Sequence, residues 1–180
     1  MSMKVYEIND LSDTKVIDIL KSSITEDLLA NEQQLENYLY SCKDKPANLF
    51  YKLENGVYTD SSYFVIVDDD DNYIASSGWY KYNTDTALVM TRMLITLNYR
   101  TKYLVAPKLL PLMIEGARDF KHIWITFNEY NKPLYDWFVR NYEGKTPAVG
   151  GKWPEIYKRF KPIGKKVVNN VEQYVVELIK

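Results

Sequence analysis

The stretch MTRMLITLNYRTKYLVAPK (residues 90–108) decides how this chain is read, because an apolar run passes through a basic turn directly into a helix start. Residues 90–97 predict a strand and residues 98–105 a turn. Pro107 suits the first turn of a helix, where its missing N–H costs nothing. That helix has an apolar face of Leu109, Leu110, Met113, Ala117 and Phe120 at three- and four-residue spacing, although Pro111 predicts that its regular part begins only there. Residues 123–127 predict a second strand and residues 133–141 a short helix that carries Tyr135, with Leu134, Trp137 and Phe138 turned inward. A strand, helix, strand order implies a crossover, so the two strands are expected to be parallel neighbours. A turn from strand into helix aims free backbone N–H groups and the positive end of the helix dipole at one place, which suits a phosphate.

Upstream, residues 4–8 alternate as a strand, and Val16, Ile17 and Leu20 predict a helix over residues 14–21. Ser23 and Glu26 have capping-box spacing, which predicts a second helix to about residue 40 with Leu28, Leu35 and Leu39 inward. Residues 63–67 and 73–80 are rich in β-branched and aromatic residues, and Asp68, Asp69, Asp70, Asp71 and Asn72 separate them as a hairpin turn. Four aspartates in a row invite a calcium reading, but the spacing and glycine of an EF-hand loop are absent, and a solvated turn accounts for them better. Residues 83–86 predict the next turn and residues 87–97 the third strand of a meander.

Downstream, His122 opens a strand and reads as a surface or hydrogen-bonded residue rather than a base. Residues 143–154 contain three glycines and two prolines and predict an irregular loop, in which Trp153 either lines a pocket or pins the loop. Strands are expected over residues 155–162 and 171–178, joined by residues 164–170.

A chain of 180 residues with 46% hydrophobic content is long enough for one domain, residues 1–180, and short for two. A formal charge of −1 provides no broad basic field for nucleic acid or an anionic membrane. No basic-aromatic stripe supports a nucleic-acid partner either. The longest apolar runs are far below spanning length and no charged-then-apolar leader is present, so a soluble, cytoplasmic protein without a membrane partner is expected. Cys42 and His122 are the single cysteine and the single histidine. They allow no intrachain disulfide and no Cys/His zinc set, which leaves only carboxylates as metal ligands, and no metal site is expected. The sixteen tyrosines read as compositional bias.

Residues 92–100, an apolar strand ending in Tyr99 and Arg100, resemble the core motif of the GNAT superfamily of N-acetyltransferases, which continues through Q/R-x-x-G-x-G/A into a helix. A second match is Asn128, seven residues before Tyr135. The resemblance implies an α/β fold with a mixed, mainly antiparallel central sheet flanked by helices. It implies acetyl-CoA, or another acyl-CoA, as cofactor, with a small-molecule or peptide amine as acceptor, and it allows a homodimer. By this resemblance, the backbone of Met93 and Ile95 pairs with the pantetheine arm. Arg100, Thr101, Lys102, Tyr103, Leu104, Val105 and Ala106 form the pyrophosphate turn, and Asn128 joins the cofactor site. Tyr135 is then the acid that protonates the departing thiolate, since a phenol with a pKa near 10 holds its proton at neutral pH. Asn31, Gln34, Tyr38 and Tyr40 fall where the superfamily builds an acceptor wall, and Glu129, Asp136 and Glu32 are candidate bases.

The turn departs from the motif, for both small positions hold large side chains and only Ala106, after a one-residue insertion, would restore one. Where such a position needs positive φ, a side chain costs roughly 1–2 kcal/mol. Two would cost on the order of thirty- to a thousandfold in affinity. Tyr103 and Val105 therefore support an alternative, a catalytically inactive GNAT-fold binding or scaffold protein. Arg100 and Lys102 would compensate through charge-assisted bonds.

Overall fold

The structure is a computed structural model that describes residues 2–8, 14–23, 61–99, 106–144 and 155–180. The expected second helix, with Asn31, Glu32, Gln34, Tyr38, Tyr40 and Cys42, lies outside the described residues, as do the turn residues 100–105 and Trp153.

Seven described strands form one sheet: β1 (Lys4–Ile8), β2 (Ser61–Val67), β3 (Tyr73–Lys81), β4 (Thr86–Ile95), β5 (His122–Phe127), β6 (Phe160–Val168) and β7 (Val171–Leu178). Their order is β1-β2-β3-β4-β5-β7-β6, antiparallel throughout except for the β4–β5 pair. The helices are α1 (Thr14–Ser23), α2 (Ala106–Gly116) and α3 (Lys132–Tyr142). α2 supplies the crossover that a parallel β4–β5 pair requires. It packs on β2, β3 and β4, while α3 packs on β5, β6 and β7. The main core joins Phe64, Ile66, Val89 and Ile125 of the sheet to Leu109, Leu110 and Met113 of α2 and Phe138 of α3. Leu88, between Ala87 and Val89 of that core, points to the other face and packs with Val168 and Val175.

Helix α2 is regular from Ala106, five residues earlier than Pro111 alone would suggest. Pro111 is exposed, and the buried Leu109, Leu110, Met113 and Ala117 hold the helix to the sheet in spite of one missing backbone donor. At its end Gly116 lies against Trp79, so a Cβ there would meet the indole Nε1 at 2.3 Å.

The tail differs from the expectation in two places. Residues Glu155–Arg159 form a 3₁₀ turn instead of a strand, because Tyr157 is buried edge-on against Trp137 (5.3 Å) and Phe138 (5.7 Å). The strands then run on through most of the expected loop. Asn169 and Asn170, at φ 53° and 64°, make a two-residue hairpin turn between Val168 and Val171. Gly164, at φ 81°, sits at a register shift within β6. On α3, Leu134 is 46% exposed rather than inward; Phe138 and Asn141 are the buried positions.

The aspartate turn fastens β1 and α1 to the sheet. Asp68 accepts hydrogen bonds from the backbone N–H groups of Asp70 and Asn72 and from the Asn72 amide. Asp69 accepts from the Ser2 N–H and hydroxyl, and Asp71 pairs with Lys15 at 2.8 Å and with Lys4 at 3.5 Å. These donors hold the carboxyls of Asp68 (chiefly Asn72), Asp69 (Ser2) and Asp71 (Lys15) below the usual range.

Gly116→Ala should destabilise the protein by about 1–3 kcal/mol, read as a lower urea midpoint, because Trp79 has to move. Lowered carboxyl pKa values mean that the aspartate turn contributes stability above roughly pH 4, lost as pH falls through the folded-state values. Amide exchange over residues 4–8 and 68–72 should accelerate in acid beyond its intrinsic pH dependence, and Asp71→Asn should blunt that response; an acid response equal to that of the α2 amides would refute this account.

Candidate active site

The site begins with a conflict of register. β4 pairs with β5 only at Thr86, Ala87 and Leu88, opposite His122, Ile123 and Trp124. Against β3 the partners are Leu88 with Tyr80, Thr91 with Gly78, and Leu94 with Ser76, so β4 twice spends three residues where β3 spends two. Each extra residue is a bulge that bends the strand. Met90, at φ 55°, is at the first. Beyond Leu88, β4 has no partner on its β5 side among the described residues, whereas β5 continues against β7 from Trp124 to Phe127. The two central strands part.

Local bonds hold the bulges. Ser77 Oγ donates to the Thr91 carbonyl at 3.1 Å, and Thr91 Oγ1 donates to the Gly78 carbonyl at 3.0 Å. The Met90 N–H points at Met113 Sδ of α2, 3.4 Å away. Gly78 is required here, for a Cβ would lie 2.5 Å from the Ser62 carbonyl oxygen and 2.6 Å from the Tyr63 ring.

Between the parted strands lies a cleft of about 660 Å³. Val89, Met93, Ile95, Ile125, Phe127 and Leu134 line it on the side of α2 and α3. Toward the other face it is bounded by Tyr80, Leu88, Thr126, Asn169 and Gln173. Asn169 donates to the Tyr80 hydroxyl at 2.8 Å, and Gln173 donates to the Val168 carbonyl at 3.0 Å. None of the described lining side chains carries a charge.

Of the residues singled out from sequence, Met93 and Ile95 line this cleft. Ala106 is the first residue of α2; residues 100–105 are outside the described set. Asn128 does not line the cleft: its Oδ1 accepts the Asn131 N–H at 2.9 Å and caps the short turn Glu129–Asn131, placing Asn131 in the wall. Tyr135 follows the wall residue Leu134 on α3 and is half-buried, its ring stacked on Tyr174 at 4.8 Å and packed near Phe127 at 6.1 Å. No described residue hydrogen-bonds its hydroxyl.

Two of the candidate bases are engaged. Glu129 pairs with Lys165 at 2.8 Å and accepts from the Tyr174 hydroxyl at 3.4 Å; the Lys165 bond holds its carboxyl below the usual range. Glu129 and Glu172 together push Lys165 well above the usual lysine range. Lys165 also lies 4.9 Å and Lys132 5.7 Å from the Tyr174 ring centre, and Lys132 pairs with Asp136 at 2.8 Å. His122 contacts Glu177 at the closed end of the β4–β5 pair, away from where the strands part. Sequence reading missed Met90, Thr91, Asn131, Leu134 and Gln173. The bulges that bring the first two into place depend on the register against β3, which the order of residues in β4 alone does not display.

No protein-family model and no curated protein matches the sequence. Solved structures do match. The PaiA N-acetyltransferase of Thermoplasma acidophilum, in complex with coenzyme A, superposes with a TM-score of 0.58 over 100% of both chains at 13% identity. An acyl-CoA N-acyltransferase of Pseudomonas aeruginosa gives 0.57 over 99% of this chain and 100% of that one, at 10% identity. The spermidine N-acetyltransferase of Vibrio cholerae gives 0.51 over 98% and 91%, at 14%. The fold is that of the GNAT acetyltransferases.

Ser77→Ala should cost about 1–3 kcal/mol in urea denaturation, because it strips the Thr91 carbonyl of its partner at a bulge. A change within 0.5 kcal/mol would mean that another donor takes its place.

Proposed function

We propose that this protein is an acyl-CoA-dependent N-acyltransferase, with residues 1–180 acting as a single domain that transfers an acetyl or other acyl group to a primary amine of a small molecule or peptide. The observation that carries this reading is the cleft opened where β4 leaves β5. A strand edge freed from its neighbour offers backbone N–H and C=O groups to a ligand with amides of its own, and a pantetheine arm is such a ligand. At about 660 Å³ the space is within the usual range for ligand sites. The similar fold solved with coenzyme A supports the same assignment.

In this reading the β4 edge, including Met93 and Ile95, holds the arm, and the turn 100–105 leading to Ala106 holds the pyrophosphate through its backbone N–H groups. Arg100 and Lys102 add charge there. The thioester supplies an activated acyl carbon. Tyr135 delivers a proton from Oη to the departing sulfur, while the half-buried stack on Tyr174 limits its rotamers. Glu129 and Asp136 are held in ion pairs and are not assigned as the base; water in the open cleft takes the amine proton. The reading as an inactive scaffold rests on the large side chains at the turn, and the open cleft weighs against it.

Calorimetric titration with acetyl-CoA should give micromolar binding, weakened roughly tenfold or more by Arg100→Ala with Lys102→Ala. Tyr135→Phe should leave that affinity unchanged and lower kcat by on the order of 10²–10⁴-fold. Absence of heat up to millimolar ligand would sink acetyl-CoA as the donor.

A further inference from the structure

The deep end of the cleft has its own chemistry. At the vertex, just past the last β4–β5 pair, stand Val89 and Ile125, 1% and 2% exposed. The Met90 N–H, two residues past the last pair, is directed toward the thioether of the fully buried Met113. The side chains at the vertex on the α2 and α3 side are therefore hydrocarbon and thioether. Met93, Phe127 and Leu134 continue the same surface outward along the α2 and α3 side. Of the polar lining groups, Thr91 donates to the Gly78 carbonyl, and Tyr80, Asn169 and Gln173, toward the other face, are all bonded to protein partners. Measured along residues 88–95, the cleft extends roughly 20 Å at strand rise.

An apolar end of this kind gains nothing from a polar group and is poorly covered by two carbons. Thioether side chains such as Met90 and Met93 have the rotameric freedom to close around a chain of variable length. We propose that the donor carries an unbranched acyl chain of roughly four to eight carbons, lying in the vertex against Val89, Met90 and Ile125. This rests on the reading of the cleft as an acyl-CoA site. Transfer follows the same balance as for acetyl: the amine nitrogen forms the new C–N bond, the C–S bond breaks, and the thiolate receives a proton.

The test is calorimetric titration of the unmodified protein with coenzyme A, acetyl-, butyryl-, hexanoyl- and octanoyl-CoA, each below its critical micelle concentration. Burial of each added methylene should tighten Kd by up to about fourfold until the vertex is filled, so hexanoyl-CoA should bind at least about tenfold tighter than acetyl-CoA. The heat capacity change should become more negative along the series. Binding of coenzyme A and acetyl-CoA with no gain, or a loss, for longer chains would overturn the chain-length assignment and leave the acyltransferase reading intact. Silence with every member of the series would overturn both.

Discussion

Strand β4 cannot satisfy both of its neighbours, and the molecule is arranged around that constraint. A central strand normally bonds on both edges along its length. Here β4 carries two residues more than β3 can match, and each excess residue adds bend and twist that take it farther from β5. The parallel pair survives for only three residues. Buried backbone groups are then satisfied by side chains on the intact side, the hydroxyls of Ser77 and Thr91, and by a methionine sulfur from α2. Gly78 lets β3 lie close enough to β2 for this to fit. The cleft is thus a consequence of register.

The walls of the cleft are kept apart by packing that does not depend on what fills it. On one side α2 is seated by Leu109, Leu110 and Met113 and ends with Gly116 against Trp79. On the other, Phe127 and Phe138 pack at 5.4 Å, and Phe138 meets Phe160 at 5.8 Å, so β5, α3 and β6 behave as one aromatic block. The hairpin β6–β7 closes that block. Its tight Asn169–Asn170 turn delivers Asn169 and Gln173 to the far mouth of the cleft.

Much of this fold is legible in the sequence, for reasons that differ between segments. Richness in β-branched and aromatic residues on either side of Asp68–Asn72 gives β2 and β3, and three- and four-residue spacing gives the buried face of α2. Those are local signals. The tail is misread because the aromatic residues around Tyr157 look like strand formers, and only the presence of Trp137 and Phe138 in space turns them into a 3₁₀ segment. Leu134 looks like a core position because helical spacing places it near Phe138, yet where β4 and β5 part it is 46% exposed among the described residues and lines the cleft. Met93 and Ile95, picked from the sequence as members of a central strand, line the cleft. It does not reveal the Met90 bulge, which depends on the length mismatch with β3. Asn128, read as a cofactor contact, spends its side-chain oxygen on the backbone of Asn131, and Asn131 is the one that reaches the wall.

The distribution of charge completes the physical account of the site. Glu129, Glu172 and Lys165 are joined outside the cleft, with Lys165 over the face of Tyr174, and Lys132 answers Asp136 nearby. Each of these groups is solvated, so each pair contributes little to stability. Their more important effect is on geometry. Tyr174 is fixed from both sides, by a cation over its ring and a carboxylate on its hydroxyl, and Tyr135 is stacked on the ring so fixed. The described cleft walls, by contrast, contain only uncharged side chains. A site built in this way cannot select its occupant by ionic attraction to those walls. In the proposed acyl-CoA site, selection comes from the backbone groups freed along β4 and from the fit of hydrocarbon at the vertex, and both are set by the two extra residues in that strand.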